Sequence, residues 1–210
     1  MKQDSRTTKR TRRQFLQCLA AIPAAIALGP WGGRTAAAEL KQSAAKPPTP
    51  DCGDDDEVTP RQIEGPFYTP NSPKRTSLHE PGITGTKITL TGVVLTTDCK
   101  PVANALVDFW HADDNGEYDN TGFKLRGHQF TDAAGKYSLE TIVPGGYPGR
   151  TRHFHVKVQA RNQRLLTTQL YFPDEPRNKT DRFFNPALLM DVKSAGDSKA
   201  ARFDFVLKIA

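Results

Sequence analysis

The chain is poor in cysteine, methionine and tryptophan, with three, two and two among its 210 residues. Three cysteines cannot form a disulfide-dense scaffold or a four-cysteine zinc centre. Beyond residue 28 no apolar run approaches ~18 residues, so no later segment is a candidate membrane-crossing helix. Helical periodicity never persists beyond about two turns, and no internal repeat is present. Excess charge is also missing from most of the chain. The formal net charge is +6, but residues 1–38 hold seven Lys/Arg (Lys2, Arg6, Lys9, Arg10, Arg12, Arg13, Arg34) against the single acid Asp4. The remainder carries 22 basic and 22 acidic residues. A nucleic-acid partner therefore cannot be argued from the basic balance.

The first 38 residues read as a targeting segment. A basic head, Lys9-Arg10-Thr11-Arg12-Arg13-Gln14-Phe15-Leu16, precedes an apolar stretch to Leu28 and the small residues Ala36-Ala37-Ala38. That order describes a secretory signal, and Thr-Arg-Arg-x-Phe-Leu describes the twin-arginine type. Cleavage is expected after Ala38, leaving no stable membrane anchor and a periplasmic or secreted protein of a bacterium. Cys18 precedes most of the apolar stretch, which argues against a lipoprotein cleavage site. Cys52 and Cys99 then remain, and in an oxidising compartment two cysteines are most simply a disulfide.

Residues 39–58, "ELKQSAAKPPTPDCGDDDEV", are polar and acid-clustered and read as a flexible leader. Residues 59–210 suffice for one domain with one core. Short alternating or β-branched runs with turn residues between them predict an all-β, antiparallel sandwich with Greek-key connections, long loops and at most short helices. The expected strands are Lys87–Leu95, Ala105–Ala112, Lys136–Ile142, Arg152–Ala160, Leu165–Phe172 and Arg202–Ile209, with a short helix within Asp181–Val192.

One strand carries chemistry. In "RHFHVKV", His153 and His155 fall on one face, and Phe154, Val156 and Val158 on the other. Residues i and i+2 lie roughly 6.5–7 Å apart along a strand, so two imidazoles at that spacing can converge on one ion. Tyr147 and Arg150 lie just upstream, and Tyr118 ends "DFWHADDNGEY" after another strand.

Six pieces together, "EGPFY" (64–68), "LTGVVL" (90–95), "PVANALVDFWHADDNGEY" (101–118), "RGHQFTDAAGKYSLETIVPGGYPGR" (126–150), "HFHVKV" (153–158) and "TQLYF" (168–172), resemble the intradiol ring-cleaving dioxygenases in order and spacing. The resemblance implies one non-haem Fe(III) per chain, held by Tyr118, Tyr147, His153 and His155. It implies a small catechol-type aromatic diol and O2 as substrates and a muconate-type diacid as product. By resemblance Tyr147 is the tyrosine that departs when substrate binds, Tyr118 the one retained. Arg150 stabilises charge developing on the substrate, and Gln169 lines its pocket. Two departures stand out: Cys99 occupies a turn where family members often carry Gly or Ser, and Thr151-Arg152 replaces a usual proline, adding a charge at the mouth.

Other tyrosines and histidines carry less. Tyr137 is expected in the core and Tyr171 on a strand, while Tyr68 fits either packing or the pocket. His79 has no evident role, and His128 is undecided. Two rival readings use the same residues. His111-x-Asp113 could open a two-His-one-carboxylate Fe(II) oxygenase site, completed by His128 or His153. Alternatively, the domain is a non-catalytic periplasmic sandwich that binds a ligand. The sequence leaves a homo-oligomer open.

Overall fold

The computed structural model describes residues 58–209; the signal, nearly all of the leader, and Cys52 lie outside the described residues. Contacts divide the chain into Met1–Lys46 and Pro47–Ala210, and the described residues belong to the second unit. Nine strands follow: β1 (Lys87–Thr96), β2 (Leu106–Trp110), β3 (Arg126–Phe130), β4 (Lys136–Ile142), β5 (His153–Gln159), β6 (Leu166–Tyr171), β7 (Asp191–Ala195), β8 (Ser198–Arg202) and β9 (Phe205–Leu207). Among the described residues the only helical elements are 3-10 turns at Pro176–Lys179 and Pro186–Leu188. The helix expected in Asp181–Val192 is thus a single 3-10 turn. Pro186 sits at its start, and the Asn185 side chain accepts from the Ala187 N–H.

The strands form two sheets, β4-β1-β8-β7 and β3-β2-β5-β6. This is the expected all-β sandwich, with one refinement. The neighbours in each sheet pair antiparallel except β1–β8, and β9 also joins β1 in parallel. The handover between β8 and β9 falls at Gly92. A Cβ there would sit 1.7 Å from the Phe203 carbonyl oxygen, so only glycine lets the crossing chain approach. Asp204 Oδ1 accepts the Val93 N–H at 2.9 Å, covering the interrupted ladder.

Period-2 alternation builds the core. Ile88, Leu90 and Val94 of β1 meet Val107 and Phe109 of β2, Leu139 of β4, and Phe154, Val156 and Val158 of β5. Each of the three β5 side chains contributes about 1.5–3 kcal/mol by leaving water. Their burial pins the strand, so its other face is presented in a fixed register. That outer face is polar yet covered by loops: His153, His155 and Lys157 are all buried. Across the sheet, register sets Arg126, Trp110, His155 and Gln169 in one row and His128, Asp108, Lys157 and Thr167 in the next.

Candidate metal centre

Four segments converge on the outer face of β5. His153 and His155 stand on the strand itself. Tyr118 comes from the loop after β2, Tyr147 from the loop after β4, and Phe67 from the segment before β1. The two histidine Nε2 atoms lie 3.1 Å apart. The Tyr147 ring is 5.9 Å from His153, the Tyr118 ring 6.1 Å from His155, and the two phenols are 6.0 Å apart, centroid to centroid. The structure therefore brings together the histidine pair that the spacing singled out and the two tyrosines that the resemblance added to it.

Protonation follows from burial. The His153 Nδ1–H donates to Thr151 O at 2.7 Å, which leaves Nε2 with its lone pair facing His155. Burial, then the Arg150 charge, pushes the His153 pKa down to about 3. Burial and its neighbour His153 hold His155 well below the usual imidazole range. Both rings are neutral near pH 7, the state a metal requires. Burial also raises the Tyr118 phenol, with Tyr147 adding to the effect. The Tyr118 ring stacks on Phe67, centroids 4.4 Å apart and planes 19° apart. Its Oη is buried without a hydrogen-bond partner.

That orphaned oxygen bears on whether iron fits. A buried phenol with no partner is costly, and a strong cation within reach would take its proton and satisfy it. Phenolate oxygens are hard donors suited to a trivalent ion, and two neutral imidazoles complete the set. The donor set fits ferric iron. Among the described residues no three His, Cys, Asp or Glu side chains gather in metal-binding geometry.

The rival opening at His111 and Asp113 is excluded by its own hydrogen bonds. The His111 Nδ1–H donates to Ala112 O at 2.7 Å, and Nε2 accepts from the Thr141 hydroxyl at 2.7 Å. Asp113 Oδ1 takes the backbone N–H groups of Asn115 and Glu117. Both ring nitrogens of His111 are thus committed, which leaves that side chain no position for a metal. His128 donates through Nδ1 to Ser72 O in the second row, and His79 is exposed.

Arg150 is buried and three ways committed. Its Nε donates to Asp181 Oδ2 at 2.9 Å, Nη2 to Gln169 Oε1, and Nη1 to Tyr147 Oη at a long 3.4 Å. Asp181 also receives the N–H groups of Thr151 and Phe183. Burial would raise the Asp181 pKa, but these donors and Arg150 outweigh it and hold the carboxyl below its usual value. Gln169 is fully buried, gives its Nε2–H to Ile63 O and accepts from Tyr171 Oη as well as Arg150. It braces Arg150 rather than presenting a free amide. Arg152 faces Glu175 at 3.1 Å, so its charge at the mouth is answered. Cys99 is disulfide-bonded at a left-handed turn residue (φ 58°), while its expected partner Cys52 lies outside the described residues.

Sequence reasoning missed four contributors. Asp181 carries Arg150 from 31 residues away. Phe67 stacks on Tyr118. Trp110 lies against His155, planes 8° apart. Arg126, buried among its neighbours, donates to the carbonyls of Asp119 and Phe67, clamping the two segments that flank Tyr118. Among the tyrosines, Tyr137 is in the core, donating to Phe203 O. Tyr68 packs on Trp110 outside the ligand set.

The fold is a two-sheet sandwich with a mixed phenol–imidazole cluster on one outer face, and similarity to known proteins places it in a family. The family model described as "Dioxygenase" matches residues 63–209. Over 172 residues the chain is 35% identical to catechol 1,2-dioxygenase 2 of Acinetobacter lwoffii, covering 69% of this chain and 62% of that protein. The solved dioxygenase domain of a dioxygenase carbohydrate-binding protein fusion from the cellulolytic Streptomyces sp. SirexAA-E is 57% identical, with TM-score 0.71, covering 73% of this chain and 99% of that one. The structure of 3-chlorocatechol 1,2-dioxygenase from Rhodococcus opacus 1CP is 25% identical, with TM-score 0.68, covering 73% of this chain and 74% of that one. The chain belongs to the intradiol dioxygenase family. It spans less than two thirds of the length of the curated relatives it matches most strongly.

Proposed function

We propose that the protein is an exported, Fe(III)-dependent intradiol dioxygenase that opens the ring of a catechol-type diol with O2. The observation that carries this reading is the meeting of Tyr118, Tyr147, His153 and His155 around one point, with the Tyr118 oxygen buried and unpartnered. Those four side chains would hold the iron. When bound, ferric iron supplies a Lewis acid that draws electron density from a coordinated diolate and so prepares its ring for O2.

The chain's own groups do the rest. Tyr147 is half-buried on a Gly/Pro loop, with Arg150 Nη1 beside its oxygen. Its phenolate Oη is the acceptor for one proton of an incoming diol. Tyr118, stacked and enclosed, stays in place. Asp181 and Gln169 fix the Arg150 guanidinium, which steadies negative charge on the reacting substrate. Phe67 lies edge-on to Tyr147 at 6.3 Å and keeps water from the space between the phenols. The pairing of Arg152 with Glu175 favours an uncharged catechol over a carboxylated one.

The purified mature protein is expected to carry one iron per chain, to show a visible phenolate-to-iron band, and to consume O2 with catechol. Oxygen uptake with unsubstituted, chlorinated and carboxylated catechols would rank the substrates. Full turnover in a folded Tyr118→Phe/His155→Ala double variant would end the assignment. Export rests on Arg12-Arg13 and on the disulfide at Cys99. Arg12→Lys/Arg13→Lys should hold the protein in the cytoplasm, and unchanged export would refute that part.

A further inference from the structure

The two site histidines are held by different means. His153 donates its Nδ1–H to a carbonyl. The Nδ1 of His155 is buried and has no hydrogen-bond partner. Metal-binding imidazoles almost always give their second ring N–H to an acceptor, which fixes the ring plane. His155 needs another restraint, and the structure supplies a face instead of an acceptor. Trp110 lies parallel to it, centroids 4.8 Å apart.

The indole is itself backed. Tyr68 packs against it at 4.8 Å, tilted by 59°, and the Lys157 ammonium stands 3.2 Å from the Tyr68 centroid. Lys157 is tied to Glu64 at 2.5 Å, and Tyr68 Oη donates to Asp108 Oδ2 at 3.3 Å. The ladder sets this order: β2 and β5 place Trp110 opposite His155 and Asp108 opposite Lys157. The result is a packed cluster on one face of the sheet: Trp110 lies flat on His155, Tyr68 leans on Trp110, and the Lys157 ammonium sits over Tyr68 and 5.9 Å from the Trp110 ring. A cation over an aromatic ring adds about 0.5–2 kcal/mol, and ring–ring contacts about 0.5–1.5 kcal/mol each beyond burial.

We propose that Trp110 is the positioning residue for His155, its parallel face, packed from behind by Tyr68 and Lys157, doing for that ring what the Thr151 carbonyl does for His153. The inference rests on reading the site as an iron centre. It makes the two imidazoles unequal: His153 is the more basic donor because it is hydrogen-bonded, and His155 is aimed by contact alone.

Four variants test it: Trp110→Leu, Trp110→Phe, Tyr68→Leu and Tyr68→Phe. The readouts are iron retention against a competing chelator, the position of the visible band, and the split between kcat and KM. Trp110→Leu is expected to weaken retention by about 10–100-fold, shift the band, and lower kcat with KM little moved. Trp110→Phe keeps a stacked ring and should recover most of the retention. Tyr68→Leu should fall between, and Tyr68→Phe should hold iron as the native chain does. Should Trp110→Leu fail to fold, the Tyr68 pair decides. Native retention and an unshifted band in folded Trp110→Leu, or in Tyr68→Leu if the first cannot fold, overturns the inference while leaving the iron reading intact. A native chain that binds no iron and shows no band removes the iron reading and this inference with it.

Discussion

Replacing Tyr118 with phenylalanine should change stability in opposite directions with and without metal. The substitution deletes one oxygen that is buried and makes no hydrogen bond. The stack on Phe67 at 4.4 Å survives, because the ring is kept. A buried polar group without a partner costs about 1–3 kcal/mol. The metal-free variant is therefore expected to exceed the metal-free native chain by about that amount. At about 2–4 °C per kcal/mol for a chain of this size, the melting temperature rises by about 2–12 °C. Iron reverses the order. A ligand at 100 times its dissociation constant adds about 2.7 kcal/mol to a protein that binds it only when folded. The native chain collects that gain, and the variant, short of one hard donor, collects less. Urea melts followed by circular dichroism, with chelator and then with ferric citrate, read both halves. A metal-free variant less stable than the native chain by 1 kcal/mol or more would mean that the hydroxyl has a structural partner. An equal iron-dependent gain in both chains would mean that Tyr118 is not a ligand. Either result refutes the reasoning.

Three further outcomes are expected. His111 is buried uncharged and its pKa is held at about 4, against 6.5 when unfolded. The unfolded chain takes that proton first as pH falls, so stability is complete above pH 6.5 and drains by about 3 kcal/mol on the way to pH 4. Denaturation of the iron-loaded protein and of a His111→Gln variant across that window should show the slope largely lost in the variant; equal slopes would discount His111. Asp181→Ala strands the buried Arg150 guanidinium and should cost about 3–5 kcal/mol in urea melts, with kcat falling more than KM; a cost under ~1 kcal/mol would show that Arg150 finds another partner. Gly65 has φ +75°, and a Cβ there would press on His155 Cε1 at 3.3 Å. Gly65→Ala should therefore lower stability by about 1–2 kcal/mol and loosen iron, with an unaltered chelator profile counting against close contact at that edge.

The histidine pair was legible because it sits on a strand whose inward face alternates cleanly, and the two tyrosines beside it were legible through the family resemblance. β4 spans Lys136–Ile142, the residues its pattern predicts, and Phe154, Val156 and Val158 fix β5. Strand β3 was not legible because "RGHQF" offers no apolar alternation; its Arg126 and His128 are spent on the outer face. The β7–β8 hairpin was missed for a related reason. "DVKSA" and "SKAAR" are largely solvent-facing, so burial leaves no period in them. The supporting residues of the site were hidden by distance along the chain. Asp181 and Arg126 act through single hydrogen bonds to remote partners, and no spacing rule announces such a pairing. Trp110 was visible as a core-type residue, but its neighbour across the ladder depends on register, which only the folded sheet defines.

The seam at Gly92 has a consequence for how the molecule is made. Half of β1 is covered by β8 and the other half by β9, both encoded after residue 197. A ribosome that has produced β1 through β6 has therefore built a sheet with one long bare margin, available to any extended peptide nearby. Residues 198–207 seal it, so deleting β9 should reopen that margin and make the chain prone to clump.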